Sequence, residues 1–459
     1  MKVISSIMDL KIFRDSIYYK IIFVIWALLH ALTLGQYITG YFSIPIIAWG
    51  GILVLKNIFN KKSYINKATQ FYMYVFLLSY IVTIFINRNS NLVGNTKTLI
   101  WQIIMMFVLF ISEAWKSKDN VDLDIIRISK TVIVVTMILS LISLIIFFLN
   151  IVYWVNRVDG VLIPIGYYYA RLWGIYVDPN QAAVIAIVSI LVSIIVLISK
   201  KYKSLKLIIS NIIIQYIFMI LTASRGGAIG FLFGVIVLGY LLSDYILRNK
   251  ITKCVFRSFI SIFIALILSG VLLLSEAPIR KVLAIIPTSI SNIKSEVNYE
   301  GMNQSIDIER NDLTSSNGRI VLWKDGLRLS KFSPIFGFGD RNISIKAKEL
   351  TPGSSLVKKT VHNGFIHMLL SGGIIAVIIM CMLITSLAYN AIKVLFREDR
   401  YNKDYYITNI ISVIIGVILI TTVFLTELFY QNSFAATIFW IYLGYSVYLN
   451  NNILNSDKK

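Results

Sequence analysis

The sequence predicts an all-α, polytopic integral membrane protein of about twelve transmembrane helices, with a large external loop of short helices between helices 9 and 10. Three observations predict it. The chain is 57% hydrophobic and 15% charged, whereas a soluble domain carries roughly a quarter charged residues. Its mean hydropathy is +0.76. Apolar runs near the ~20 residues that a bilayer needs recur along its whole length.

The spans fall at 20–37, 41–58, 71–87, 98–114, 130–152, 180–199, 205–222, 227–246, 256–275, 363–388, 406–425 and 433–450. Lys11, Arg14 and Lys20 precede the first run without a small-residue cleavage site after it, so we expect an uncleaved helix rather than a signal peptide. The net charge of +21 is not gathered on one face. It falls in clusters before helix 1 and in alternate loops: Lys61, Lys62 and Lys67; Lys116, Lys118 and Arg127; Lys200, Lys201 and Lys203; Arg248, Lys250 and Lys253; Arg397, Arg400 and Lys403. Arg88 and Lys97 are the main exceptions. This is the positive-inside pattern, and it places residues 1–19 and 451–459 in the cytoplasm. Nucleic-acid binding would need one basic face with aromatic platforms, and none is seen. Cys254 and Cys381 spell neither a metal pattern nor a disulfide framework.

Between the helices of 20–275 and those of 363–450 lies a polar segment, 276–362, on the external side. Loops this long are usually functional or disordered. In 319–329, "RIVLWKDGLRL", the apolar Ile320, Trp323 and Leu327 follow helical spacing. Pro334, Gly337 and Gly339 then signal a helix stop and a tight turn. Asp307 and Glu309 read as solvated members of a mixed-charge run.

The remaining charges at the external boundary carry the functional question. Arg225 sits in "SRGG" at 224–227, in a turn between two spans. It either snorkels to the interface or binds an anion. Arg171 lies in "RLWGIYVDPN" at 171–180 beside Trp173 and tyrosines 167–169, which an aromatic belt would also explain. Asp178 with Pro179 reads first as a helix N-cap, ahead of any catalytic role. His362 and Asn363 stand where the loop enters helix 10, and Asn363 can serve as a cap. His30 reads as a packing or hydrogen-bonding residue inside helix 1. His367 follows His362 by five residues and points to another face, so the two make no metal pair. Glu427, at the outer end of helix 11, joins Arg171, Arg225, Arg280, Arg319 and His362 as the external inventory. Arginine forks suit phosphate, and a histidine beside them suits proton transfer near neutral pH. No metal site, P-loop or ATP-binding domain is seen.

Four segments together resemble the O-antigen ligase and polysaccharide polymerase family of bacterial membrane glycosyltransferases: "RLWGIYVDPN", "SRGG", "GRIVLWKDGLRLSKFSPIFGFG" from Gly318, and "HNGFIHMLLSGGI" from His362. The resemblance covers about residues 165–390, with the motifs in the family's order. It implies a donor glycan on undecaprenyl diphosphate in the outer leaflet of the bacterial plasma membrane. The glycan would pass to an acceptor hydroxyl without metal, nucleotide or other cofactor. Arg225 and Arg171 match arginines that engage the diphosphate and the sugar chain. His362 matches a histidine near the reacting centre, as base or as diphosphate contact. Arg319 and Trp323 match loop positions that could shape a glycan groove, with packing the first reading for Trp323. Asn363, Arg280, Glu427 and Asn180 are further candidate substrate contacts, Glu427 without a family counterpart. A flippase and a chain-length regulator are the implied protein partners. Abundant Ile, Asn and Lys suggest an AT-rich genome and incline the reading to a capsule or exopolysaccharide repeat-unit polymerase. A ligase to a lipid, wall or protein acceptor remains the alternative. A glycolipid flippase would instead call for internal repeats and charges near the midplane.

Overall fold

The computed structural model describes residues 15–59, 67–110, 116–158, 160–248, 250–251, 253–296, 318–396 and 403–455. Lys11, Arg14, Lys61, Lys62, Asp307, Glu309, Arg397 and Arg400 lie outside these residues. In chain order the helices are α1 (Ile17–His30), α2 (Gly35–Phe59), α3 (Lys67–Ile86), α4 (Leu92–Ile104, extended by a π-turn, Met105–Leu109) and α5 (Lys118–Phe148). A three-stranded sheet follows, β1 (Tyr153–Asn156), β2 (Leu162–Tyr168) and β3 (Arg171–Gly174). Then come α6 (Pro179–Ser199), α7 (Leu205–Thr222), α8 (Arg225–Leu247), α9 (Cys254–Leu283), α10 (Ile285–Glu296), α11 (Arg319–Ser330), α12 (Ile343–Leu350), α13 (Gly364–Leu395), α14 (Lys403–Thr422) and α15 (Phe434–Asn455).

Among the described residues, ten helices are long and apolar enough to cross a membrane, which makes this a multi-pass membrane protein. The first and last predicted spans fall on α1, of 14 residues, and α15, of 22 residues. The core runs through α6, which packs against α5, α7, α8, α14 and α15 and is buried nearly all round. A helix that is apolar on every face belongs in such a position.

The first span ends sooner than the sequence suggested, at His30 rather than near residue 37. The chain leaves the helix because 31–34 pairs with 175–177: Thr33 N–H donates to the Ile175 carbonyl at 3.0 Å, and Val177 N–H to that of Ala31 at 3.0 Å. His30 behaves as expected of a packing residue. It stacks on Trp26 with ring centroids 5.3 Å apart and meets the Thr39 hydroxyl at 3.0 Å through Nδ1.

The sheet is an addition to an otherwise helical fold. β1, β2 and β3 form an antiparallel meander with Tyr153 opposite Ile165 and Tyr168 opposite Arg171. Its aromatic and β-branched residues favour strands, where the sequence suggests only an interfacial aromatic belt.

The segment 318–363 shares a small core with α13, built from Leu322, Leu329, Phe338, Leu356, Val361 and Leu370. The helix expected from "RIVLWKDGLRL" is α11, but its buried face differs from the expected stripe. Leu322, Gly326 and Leu329 point inward, while Ile320 and Leu327 are exposed. Those two apolar residues share helical spacing with Trp323, but the packing surface under α11 lies one residue further round.

The turn at 334–339 inserts into a break in α13. Gly373 there has φ 69 and ψ −173, a conformation essentially restricted to glycine. The Ile374 amide donates to the Pro334 carbonyl at 2.8 Å, and Phe338 and Gly339 amides donate to the Leu370 and Ser371 carbonyls at 2.8 and 2.9 Å. Helix groups freed by the break are thus satisfied by the turn, as buried backbone requires. From α3, Thr83 and Asn87 donate to the carbonyls of Phe336 and Gly337 at 2.5 and 3.2 Å, fixing the turn from the other side.

Candidate active site

Three helices begin at one place, at the end of the bundle that carries the sheet and 318–363. α6 is capped by Asp178, whose Oδ1 accepts the Asn180 amide at 2.8 Å, with Pro179 at its first position. α8 is capped by Ser224, whose Oγ accepts the Gly227 amide at 3.1 Å. α13 is capped by Asn363, whose Oδ1 accepts the Phe365 and Ile366 amides, both at 3.0 Å. Each start leaves amides pointing outward and carries a partial positive charge, so the convergence favours an anion.

Asn180 ties the first two starts together. Its buried side-chain oxygen accepts from Arg171 Nη2 at 2.7 Å and from Ser224 Oγ at 3.0 Å, and its Nδ2 donates to Asp178 Oδ1 at 2.9 Å. Arg171 also donates through Nε to the carbonyl of Thr222, the last residue of α7, at 3.0 Å. It follows a turn in which Tyr169 and Ala170 both have φ 55, left-handed backbone that non-glycine residues seldom adopt. Asn180 and Asn363, two expected substrate contacts, also position the protein's own groups.

Arg225 is the half-buried first residue of α8. Beside it Gly226 lets Phe424 approach closely, since a Cβ there would lie 3.1 Å from the Phe424 Cβ. The Arg319 guanidinium, at the start of α11, sits 5.8 Å from the Phe424 ring centroid, within cation–π range. Phe424 thus joins the starts of α8 and α11. The same connection, 423–433, runs past α13, where Gly364 lies against Thr422 and the Leu425 carbonyl and Phe365 packs on Phe429 at 5.5 Å.

His362 stands immediately before the α13 cap with φ 48. A strained non-glycine residue at such a place is a recurrent mark of functional sites. Its carbonyl accepts from Trp323 Nε1 at 3.4 Å, so Trp323 both packs on the small core and steadies the histidine. Burial lowers the imidazole's pKa; the Asp178 carboxylate opposes that shift, while Arg319 and Lys359 reinforce it. The net direction is down from the ordinary value, which leaves a neutral ring able to accept a proton. Glu427, in the 423–433 connection, has one carboxyl oxygen enclosed without a hydrogen-bond partner. Burial, and then the Asp178 charge, raise its pKa well above the usual range and favour the neutral acid.

The structure brings together Arg171, Asn180, Arg225, Arg319, Trp323, His362, Asn363 and Glu427. Arg280 stands apart. It lies on α9 one turn beyond Glu276, its Nε is enclosed without a hydrogen-bond partner, and no contact among the described residues ties it to the others. Among the described residues no group of three or more His, Cys, Asp or Glu side chains is arranged to hold a metal ion.

Sequence reasoning missed a second polar centre. Asp340 is buried, and its Oδ1 meets His367 Nε2 and Gln431 Nε2, both at 2.9 Å. Its Oδ2 accepts from Thr98 at 3.1 Å and pairs with Arg341 at 3.0 Å. Burial would raise its pKa, but the hydrogen bond and charge of His367, then Arg341 and Thr98, outweigh it and hold the carboxyl below the usual range. This node fastens the 334–342 turn to α4, α13 and the 423–433 connection. Its members are far apart in sequence, and only the 362/367 histidine spacing hinted that His367 serves a different surface.

Residues 210–381 match the family model described as O-antigen ligase. They form an O-antigen ligase family domain. That domain holds the α8 start, the 318–363 segment and the His362–Asn363 entry to α13, while the Arg171–Asn180 segment and Glu427 reach its site from outside the matched range. A curated relative, an uncharacterized protein of Haemophilus influenzae, is 24% identical over 252 residues, which are 53% of this chain. The chain spans 57% of that relative's length.

Proposed function

We propose that this protein transfers a glycan from a polyprenyl diphosphate carrier to an acceptor hydroxyl, as a polymerase of lipid-linked repeat units. The observation that carries the reading is the convergence of three helix N-termini with Arg171, Arg225 and Arg319 around a neutral His362. Glycan transfer from a diphosphate develops negative charge on the leaving group. Fixed positive charge and backbone amides stabilise that charge without reorganising. Arg225 and Arg319 meet the diphosphate, Arg171 holds the glycan side, and His362 takes the acceptor's proton. The O-antigen ligase match supports this class of chemistry. Undecaprenyl is the carrier, and capsule or exopolysaccharide the product class. The clustering of Lys and Arg in alternate loops supports cytoplasmic termini and an external site in the bacterial plasma membrane. A flippase would deliver the donor, and a chain-length regulator would act on the product.

The test is reconstitution with undecaprenyl-diphosphate-linked repeat units and electrophoresis of the glycan. A ladder of lengthening chains that disappears in Arg225→Ala and His362→Ala, with both variants inserted normally, supports polymerisation at this site. Transfer only after a separate acceptor is added makes the protein a ligase. Glycolipid movement across the membrane without transfer refutes the proposal.

A further inference from the structure

The central helix is covered by its neighbours until its last two turns. From Ala182 to Ser193 every residue of α6 is buried, whereas Ile194, Leu197 and Ile198 are only partly so. Spaced i, i+3 and i+4, these three share one face. They line an apolar cavity of about 560 Å³ whose other walls are α8 and α14. Leu242 and Tyr245 of α8 also line it and are 58% and 54% exposed, so the cavity opens at the outer surface of the bundle. Close packing leaves no void of this size empty, and apolar walls do not hold water. A hydrocarbon chain drawn from the bilayer satisfies them.

The lining carries one charge. It belongs to Lys403, the first residue of α14, which makes no ion pair among the described residues. Tyr406, one turn on, meets Tyr245 edge to face at 5.7 Å, and both rings line the cavity. The same end of the bundle carries Lys200 and Lys201 just after α6 and Arg248 just after α8, all exposed. Two acidic side chains stand near. Asp404 pairs with Lys118, and Asp122 is reached by the charges of Lys118, Lys201 and Lys403. Cations therefore outnumber anions around the opening. The other end of α14 is Thr422, against which Gly364 lies at the candidate active site. The 20 residues between span about 30 Å, so the cavity is a separate place.

We infer that this cavity binds an anionic phospholipid of the cytoplasmic leaflet, with one acyl chain against α6 and the phosphate on Lys403. The clusters of Lys and Arg at this end of the bundle put it in that leaflet. Basic pockets between membrane helices hold anionic headgroups, and tyrosines sit at headgroup depth. A zwitterionic lipid would bring its own cation towards Lys403 and the neighbouring basic residues, so a net negative headgroup is favoured. The inference does not depend on the glycan-transfer reading. The isoprenoid chain of a polyprenyl diphosphate is the competing occupant, but the arginines assigned above to its diphosphate lie at the opposite end of α14.

The test is native mass spectrometry of the full-length protein in detergent, titrated with dioleoylphosphatidylglycerol, dioleoylphosphatidylcholine or undecaprenyl phosphate. Two variants change the site at partly or fully exposed positions: Lys403→Gln removes the charge, and Leu242→Trp fills the cavity from its mouth. Equal melting temperatures without added lipid establish that both are folded. On the wild type the first phosphatidylglycerol should bind about fivefold more tightly than phosphatidylcholine, the worth of one lysine near an anionic headgroup. Lys403→Gln should abolish that preference by weakening phosphatidylglycerol alone, and Leu242→Trp should weaken both phospholipids. Equal binding of the two phospholipids to the wild type, or a preference that survives Lys403→Gln, overturns the inference. So does unchanged phosphatidylglycerol binding in Leu242→Trp. Displacement of phosphatidylglycerol by an equal concentration of undecaprenyl phosphate, lost in Leu242→Trp, gives the cavity to an isoprenoid chain and overturns it as well.

Discussion

Replacing Gly373 by alanine should unseat the turn at 334–339 and, through it, the candidate site more than two helical turns away. At φ 69 and ψ −173 the backbone lies where a side chain costs about 1–3 kcal/mol. A Cβ built there would lie 2.0 Å from the Ile335 carbonyl oxygen and 2.2 Å from its carbon. Those are backbone atoms, so only movement of the turn relieves the overlap. Four hydrogen bonds hold that turn in the helix break: Ile374 to Pro334 at 2.8 Å, Ile375 to Ile335 at 3.4 Å, Phe338 to Leu370 at 2.8 Å and Gly339 to Ser371 at 2.9 Å. At about 1 kcal/mol each, losing two of them on top of strain of about 2 kcal/mol destabilises the region by about 4 kcal/mol. Asp340 would lose its register with His367 and Gln431, and α13 would no longer present His362 and its cap correctly. The assay is limited proteolysis of purified protein with cleavage mapped by mass spectrometry, run beside glycan transfer. Gly373→Ala should be cut within 331–363 at protease levels that spare the wild type, and transfer should be lost. Gly270→Ala is the control: its Cβ would meet nothing within 4 Å on α9, and helix propensity favours alanine by about 1 kcal/mol. Wild-type protection and transfer in Gly373→Ala would refute the claim that the inserted turn sets the site.

Two further outcomes follow from the site's geometry. Asn180→Ala removes the charge-assisted bond to Arg171 and strands Ser224, a loss of about 2 kcal/mol; the KM for the lipid-linked donor should rise more than tenfold, and an unchanged KM would show that Arg171 is positioned without Asn180. The pH–rate profile of the wild type should fall on the acid side only below about 6.5, the ordinary histidine value, because His362 is shifted downward. Arg319 contributes to that shift, so in Arg319→Ala the imidazole's pKa rises and the acid limb moves to higher pH; movement the other way would mean that a different group is the base.

Much of the candidate site is legible in the sequence because its chemistry is rare there. An arginine or histidine among apolar spans stands out, and Arg171, Arg225, Arg319 and His362, which the structure gathers, stand out by that contrast. Arg280 met the same criterion and lies elsewhere on α9, because a charge at a helix end reports depth and not direction. Asp178 reads as a helix cap, which it forms with the Asn180 amide, but a cap motif does not reveal what else lies before it. Asp340, His367 and Gln431 join residues 27 and 91 positions apart, a distance over which no local pattern speaks.

The sequence by itself determined the class of this protein and the location of its apolar spans, since hydrophobic length and the need to satisfy backbone groups inside lipid leave little choice of element. It also determined the helix starts, because Asp178, Ser224 and Asn363 cap through bonds that span only two or three residues. Only the tertiary structure decided that those three starts meet, that Phe424 and Asn180 join them, and that a glycine-dependent break in α13 receives the 334–339 turn. Each of these depends on which surfaces pack together. Packing is fixed by long-range complementarity of shape and hydrogen bonding, which one chain read in order does not display.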